Sequence, residues 1–478
     1  MVISRSIINP NLVIHHHSGT VNYAEFSTLV DRWKTLLVKE YGAKSGQRIV
    51  LEFIDPDPVY YAAVFAAFEL GLILIAEWPP AFDEEDVVSH RMTMHGRIDF
   101  AIVEHSQTRP LNPTYNYWNH RRNTANVDHV ITDAEFKQYT DIDSAIADTV
   151  YAQPEDDAIW GASGGTTGKA KRTKTTHSRT ILYAQRLIKP LNYKETDHCL
   201  HITSLLYGAG MAYYFLPTWM TAREHTLVAI KDVKQLIQVI EDKKINKVKL
   251  HTLALILEYL EQTYRLDHDL DILSIFNIND RAVAQIKEKN IQSVRMVFGD
   301  TTIALGFFYK VMDQSTTPTT YKRGCVGQPV DSLYEFEIRD GILYVAIPSL
   351  NQEWRTSQDR FTTDGQYYYF FGRGNQYNIG REKIVLGDLD LEVERLFGVG
   401  ATIVVDEQYE KIYLAVWKDN PEAEAELIKY FEENFEKITI NQIARNLDPN
   451  RFIVSRKIDR EKVRDYFRYH HLKPVAVN

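Results

Sequence analysis

Apolar residues recur along this chain with two different periods, and the periods mark out its elements. From Tyr23 to Tyr41, Phe26, Leu29, Val30, Trp33, Leu36 and Leu37 fall on one face at helical spacing, and Gly42 supplies a stop. Arg48 to Phe53 reads as a strand, Pro58 to Leu70 as a helix and Gly71 to Glu77 as a second strand closed by Pro79-Pro80. Strand, helix, strand predicts a parallel pair joined by a crossover. The same alternation continues with helices at Thr180–Leu187, Val233–Asp242, Leu253–Tyr264 and Ala282–Lys289, and strands at Lys247–His251 and Val294–Phe298. From Tyr334 the period shortens to two, predicting strands at Tyr334–Arg339, Gly341–Ile347 and Gln366–Phe371. Past Arg373 come strands Ala401–Asp406 and Ile412–Trp417, the helix Pro421–Phe435 and a Lys/Arg-rich end. No internal repeat or low-complexity tract interrupts this order.

The most apolar stretch, Tyr60 to Trp78, is broken by Glu69 and Gly71, so a buried helix, turn and strand fit it better than a membrane span. The 478 residues leave room for two to four domain-sized units. A net charge of −9 argues against a general nucleic-acid binder, and two cysteines are too few for a disulfide framework, so a cytoplasmic setting is expected. The N-terminal residues lack the long apolar core of a signal peptide. Adjacent histidines point in different directions and no carboxylate or cysteine pattern accompanies them, so a metal site at His15-His16-His17 or at His470-His471 is disfavoured.

The densest chemistry lies from Ser163 to Lys171, S-G-G-T-T-G-K-A-K. Glycines let backbone N–H groups approach a polyanion, threonines add hydroxyl donors and lysines add charge. It is not a Walker A site: Ser163 stands where the first glycine should be, and Ala170 follows Lys169. The segment resembles T-S-G-T-T-G-K-P-K of the adenylate-forming superfamily, which includes acyl- and aryl-CoA synthetases, peptide-synthetase adenylation domains and beetle luciferases; Thr176-His177 follows at the family's spacing. Further motifs come in the family's order. Phe298-Gly299-Asp300-Thr301-Thr302 resembles Y-G-x-T-E, Gly324 to Pro329 resembles G-S-V-G-x-P, and Gly341 to Ser349 resembles G-E-L-x-V-x-G-P-S. Thr362-Thr363-Asp364 resembles T-G-D, with a shorter run than usual to the G-R pair Gly372-Arg373. Ser455 to Arg460 resembles G-K-I-D-R, with Arg456 in place of the glycine.

The resemblance spans about Tyr23 to Arg460 and implies an α/β fold. A large N-terminal domain, 1–373, would comprise two α/β subdomains and a small β-rich one. A small mobile α+β domain, 374–478, would follow, hinged at Gly372 to Asn375. It implies that Ser163, Gly164, Gly165, Thr166, Thr167, Gly168, Lys169 and Lys171 hold ATP phosphates. Phe298 would pack on adenine beside Gly299, Asp300, Thr301 and Thr302, while Asp364 and Arg373 would hold the ribose. Lys457 would bridge the α-phosphate and the acid, with Thr166 and His177 as further catalytic residues. Thr302 replaces the family's magnesium-binding glutamate, which leaves Thr166 and Asp300 as candidate Mg²⁺ ligands. Tyr207, Gly208, Gly210, Asn277 and Asn279 would line the acid pocket; the absence of an Asp near Tyr207 disfavours an amino-acid substrate. The implied reaction joins a small carboxylic acid to AMP with release of pyrophosphate, then transfers the acyl group to a thiol. CoA comes first as acceptor, then a carrier-protein arm, an amine or an alcohol. A nucleotide-binding scaffold without turnover is the alternative that Thr302, Arg456 and the replaced pocket glycines leave open.

Overall fold

The computed structural model describes residues 1–53, 56–76, 97–103, 127–162, 172–202, 210–228, 233–250, 266–274, 291–300, 304–313, 315–316, 325–348, 352–373, 376–379, 382–397, 400–406, 411–434, 439–447, 453–454, 457–458, 463–464 and 466–467. They pack as two units, Met1–Phe276 with Gln285–Ser315, and Asn277–Ala284 with Thr316–Asn478.

The first unit contains a six-stranded sheet in the order Val127–Thr132, Ile98–Val103, Arg48–Glu52, Ile73–Ile75, Asp157–Ala162, Arg172–Thr176. Every neighbouring pair is parallel except the last. The helix Pro58–Glu69 makes the expected crossover between Arg48–Glu52 and Ile73–Ile75. It starts under an Asp57 cap with Pro58 in its first turn, and its sequence has no polar face, so all but Val59 is buried. Gly71, at φ +71°, turns the chain into the next strand; a Cβ there would lie 2.6 Å from Ser45 Oγ.

The helix Tyr23–Lys39 opens with a capping box: Asn22 accepts from the Glu25 N–H, and Glu25 accepts from the Asn22 N–H. Its buried face includes Phe26, Val30, Trp33, Lys34 and Leu37. Lys34 is fully buried because Glu69 lies 2.9 Å from its ammonium and the Ala147 and Thr149 carbonyls accept from it at 2.7 Å each. The Arg5 guanidinium also donates to Glu69, at 3.1 and 3.0 Å, and pairs with Asp31. One buried carboxylate thus holds two cations from separate segments.

A second sheet run in this unit has the order Ala304–Asp313, Ile291–Asp300, Leu270–Ser274, Lys247–Leu250, His198–His201, Glu224–Leu227, Val13–His16, Gly19–Asn22. Behind it Tyr61, Phe65, Phe215 and Trp219 form an aromatic cluster with ring centroids 5.2–5.8 Å apart. His201 and His225 join that cluster. The His225 Nε2–H faces the Ala222 carbonyl, so its Nδ1 accepts from His201 Nε2–H at 3.0 Å. Burial pushes His225 down to about 3 and His201 well below the ordinary imidazole value.

Imidazoles held neutral in the fold make stability pH-dependent with a defined sign. The unfolded chain takes a proton on His225 below about pH 6.5, whereas the folded chain resists until about 3. That stability is present above 6.5 and is lost as pH falls toward 3. Wild type should therefore lose denaturation midpoint relative to His225→Gln across that interval; parallel curves for the two proteins would contradict it. The comparison cancels the opposite-signed contributions of Asp31 and Asp197, whose carboxyls burial raises.

In the second unit an antiparallel run has the order Glu335–Arg339, Ile342–Ile347, Gln352–Thr363, Tyr368–Arg373, Cys325–Pro329. This is the β-rich region expected from the shortened period. Its first turn is Asp340-Gly341, both at positive φ (51° and 76°), as a two-residue hairpin requires. Farther on, Ala401–Asp406, Lys411–Val416 and Gln442–Ala444 form a three-stranded sheet. Helices Leu386–Phe397 and Pro421–Asn434 cover one face through Leu389, Val393, Leu427 and Phe431. Val463 and Phe467 pack on the other face. The junction at 372–375, read from the sequence as a hinge, falls inside this second unit, and residues 374 and 375 lie outside the described residues. The expected helices Leu253–Tyr264 and Ala282–Lys289 also lie outside them. Among the described residues, no helix is long and apolar enough to cross a membrane.

Candidate adenylation site

Asp157–Ala162 and Arg172–Thr176 are the two strands on either side of the glycine- and threonine-rich segment. They pair antiparallel, with Gly161 opposite Thr173 and Ala162 opposite Arg172. Residues 163–171, which carry Ser163, Gly164, Gly165, Thr166, Thr167, Gly168, Lys169 and Lys171, lie outside the described residues, but their two anchors are adjacent Cα partners at the end of a sheet. The returning strand, R-T-K-T-T, has no apolar alternation and escapes a pattern search. It is held instead by charge on an aromatic face. Arg172 lies 4.7 Å and Lys174 4.2 Å from the Trp160 ring centroid, with Arg48 at 5.3 Å. Asp157 accepts from the Trp160 indole N–H at 2.8 Å and lies 3.2 Å from the Lys174 ammonium.

Phe298 sits near the end of the strand Ile291–Asp300, half-buried, opposite Phe308 on the strand Ala304–Asp313. The register shifts between Phe298 and Asp300, at Gly299, so the strand end bends. Gly306 lies on the partner strand at φ +69°. A Cβ there would meet Leu187, Tyr213 and Val297 at 3.1–3.2 Å, so the glycine is required by close packing as well as by backbone. Asp300 pairs with Ala304 through the backbone, and Thr301 and Thr302 lie outside the described residues.

Asp364 occupies the exposed tip of the hairpin between Gln352–Thr363 and Tyr368–Arg373. Its Oδ1 accepts from the Gln366 and Tyr367 N–H groups at 3.1 and 2.8 Å, and its Oδ2 accepts from the Tyr369 hydroxyl at 2.6 Å. Both oxygens therefore serve the turn. Asp359, five positions earlier, is a carboxylate that sequence reasoning passed over. It is buried (3% exposed) in the middle of a strand and is the register partner of Arg373. The signal was available: the run from Asp364 to Arg373 is short for the family, and Asp359 lengthens it.

Lys457 begins the short strand Lys457–Ile458, which pairs with Ile453–Val454 in the register Val454 to Lys457 and Ile453 to Ile458. Two residues separate the paired strands in sequence, and the lysine is the first residue of the second strand. The strands Gln376–Ile379 and Glu382–Val385 make a second tight pair in the same unit, with Ile379 opposite Glu382.

His177 opens the helix His177–Ile188 under a Thr176 cap and is fully buried. Its Nδ1 accepts from the Ile3 backbone N–H at 3.2 Å, its ring meets Phe68 edge-on, and burial lowers it to about 4. These are the contacts of a packing residue. Gly210 is buried at the head of Met211–Phe215, a π-helical turn; Tyr207, Gly208, Asn277 and Asn279 lie outside the described residues.

The parallel sheets with helical crossovers, the paired strands around the Gly/Thr segment and the small terminal α+β sheet define an adenylate-forming architecture. A family model described as AMP-binding enzyme matches residues 8–341, and the chain belongs to that family. Its fold is shared at low identity with solved members. The anthranilate CoA ligase AuaEII in complex with anthranoyl-AMP is 15% identical, with a TM-score of 0.72 over 96% of this chain and 95% of that one. The o-succinylbenzoate CoA synthetase of Bacillus subtilis with OSB-AMP is 18% identical, TM-score 0.72, over 96% and 97%. The amide bond synthetase McbA from Marinactinospora thermotolerans is 15% identical, TM-score 0.71, over 97% and 98%. Among curated sequences, atromentin synthetase invA1 of Paxillus involutus is 28% identical over 37% of this chain, and the match spans only 21% of that protein.

Proposed function

We propose that the chain activates an aryl or other small carboxylic acid as its acyl-adenylate and passes the acyl group to a thiol, CoA before a carrier-protein arm. The observation that carries this is the hairpin register that fixes both ends of the Ser163–Lys171 segment inside the family's fold. Aryl acids are favoured because the similar structures contain anthranoyl-AMP and OSB-AMP. A carboxylate oxygen attacks the α-phosphorus of ATP, the bond to pyrophosphate breaks, and acyl-AMP forms. A thiolate then attacks the acyl carbon and AMP leaves. Backbone N–H groups and hydroxyls at 163–171 hold the phosphates, Phe298 lies against adenine, and Lys457 neutralises charge between acid and α-phosphate. Thr166 and Asp300 offer the oxygen ligands a magnesium ion takes; bound there, the ion would supply positive charge to the phosphates. A cytoplasmic setting suits the two buried thiols, Cys199 and Cys325.

The test is carboxylate-dependent exchange of labelled pyrophosphate into ATP across aryl, short-chain, fatty and amino acids. Exchange with an aryl acid is the expected result. Silence across the panel while ATP still binds would sink the ligase and leave a non-turnover nucleotide scaffold. Product analysis with CoA, a phosphopantetheinyl carrier and simple amines then separates the acceptors.

The ribose contact goes to Asp359, with Asp364 kept as the sequence-based alternative. Asp359 is the register partner of Arg373, the other residue assigned to the ribose, and a carboxylate suits paired hydroxyls because it only accepts. Asp359→Asn should raise the KM for ATP about 10–100-fold, corresponding to one or two charge-assisted hydrogen bonds. Asp364→Asn should change it by no more than about threefold. The reverse ranking would return the role to Asp364.

A further inference from the structure

Near one edge of the first unit's second sheet, three strands far apart in sequence bring two histidines and a glutamate together. Val13–His16 pairs parallel with Glu224–Leu227, which pairs parallel with His198–His201. In that register Glu224 is the Cα partner of His198, and Thr226 is the partner of both His15 and Leu200. Period-two alternation therefore sets His15, Glu224, Thr226 and His198 on one face, while His225 and His201 point to the aromatic core on the other. Glu224 Oε2 lies 3.8 Å from His15 Nε2 and 3.6 Å from His198 Nδ1, and the three ligand atoms lie within 4.8 Å of one another. Donors around a tetrahedral zinc stand about 3.3 Å apart, from metal–ligand bonds of about 2.0–2.2 Å. Movements of a few tenths of an ångström in partly exposed side chains would close that gap for the two pairs with the carboxylate.

The other ring nitrogens carry the stronger argument. His198 Nε2 lies 2.8 Å from Thr226 Oγ1, and His15 Nδ1 lies 3.3 Å from Thr20 Oγ1. Each hydroxyl can accept an N–H, which leaves His198 Nδ1 and His15 Nε2 as lone-pair donors aimed at the carboxylate side. This is the outer-shell arrangement that orients ligating imidazoles. Lys243 lies beside His198 as a backbone hydrogen-bond partner and as a positive charge that opposes a cation. Two imidazoles and one carboxylate suit Zn²⁺ among divalent ions, with a water in the fourth position because all three side chains are partly exposed.

We propose that His15, His198 and Glu224 form a zinc site that ties the strand Val13–His16 to the two strands beside it. It shares no residue with those assigned to the nucleotide. The sequence run His15-His16-His17 supplies only one of these ligands; the carboxylate and second imidazole arrive through the fold.

The test uses the full chain stripped with a chelator and titrated with Zn²⁺ alone, and separately with Co²⁺ alone for its ligand-field spectrum. One equivalent of Zn²⁺ should bind, raise the thermal midpoint and displace a tetrahedral Co²⁺ signal. Glu224→Gln, His198→Gln and His15→Gln should each weaken binding by at least about 100-fold, and Thr226→Val by about 10–100-fold. His16→Ala with His17→Ala should leave it unchanged. Because the His15 side chain is partly exposed, its variant tests the site even if the His198 variant fails to fold. No stoichiometric binding by wild type, or binding that survives in the His15 and Glu224 variants, overturns the proposal, whatever the outcome of pyrophosphate exchange.

Discussion

Lys457→Ala is expected to lower pyrophosphate exchange by about 10²–10³-fold, the range for removing one preorganised charge-stabilising donor. Consumption of preformed acyl-AMP by thiol should stay within a few-fold of wild type. The reason is the separation of roles. Forming the adenylate brings a carboxylate against a phosphate, two anions whose repulsion an ammonium relieves. Thiolysis starts from a neutral acyl carbon and expels AMP, and needs no such bridge. Lys457 follows a two-residue connection in a short antiparallel pair, so its backbone position is defined by Val454 across the ribbon and not by a long flexible loop. Lys457→Arg should recover only part of the activity, because a guanidinium is planar and wider than a point charge. Equal loss of both half-reactions in Lys457→Ala would remove the lysine from the bridging role.

Glu69→Ala should destabilise the first unit by about 3–5 kcal/mol, the cost of leaving buried charge without its counterion. Glu69 is the shared partner of Lys34 and Arg5, and Lys34 has no exposed surface over which to relax. The remaining acceptors around Lys34 are the Ala147 and Thr149 carbonyls, which carry no net charge. Denaturant unfolding followed by tryptophan fluorescence reads this effect through Trp33 and Trp219, both buried in the same unit. A midpoint change worth less than about 1 kcal/mol would mean that the ion network is solvated after all.

Much of this architecture was legible because its elements are strongly periodic or continuously apolar. The helices at Tyr23 and Pro58, the helix Val233–Asp242 and the strand pair Ala401–Asp406 with Lys411–Val416 follow from apolar spacing alone. The strand Arg172–Thr176 did not, because cation–aromatic contacts and ladder hydrogen bonds hold it in place of apolar burial. Gln352–Thr363 was missed for a related reason: its register shifts break the two-residue alternation that marks a strand. At the candidate site, motif order proposes the phosphate segment, Phe298 and Lys457. It proposes Asp364 for the ribose because an Asp before Gly stands near the expected place, and the pattern carries no information about burial. Asp359 differs from Asp364 in environment, not in residue type. The His15, His198 and Glu224 grouping was illegible for a deeper reason, since parallel pairing of distant strands is a tertiary property.

The tight pairing before Lys457 also bears on how this chain tolerates change in length. In a two-stranded ribbon, side chains alternate faces residue by residue. A residue added or removed between Val454 and Lys457 can be absorbed in two ways: by a longer or shorter connection that keeps the pairing, or by a one-place slip that reverses the face of every residue on the slipped strand. Only the slip would separate Lys457 from its reaction while leaving the three-stranded terminal sheet in place. Length at this position therefore carries a risk to the first half-reaction that substitution at 455 or 456 does not.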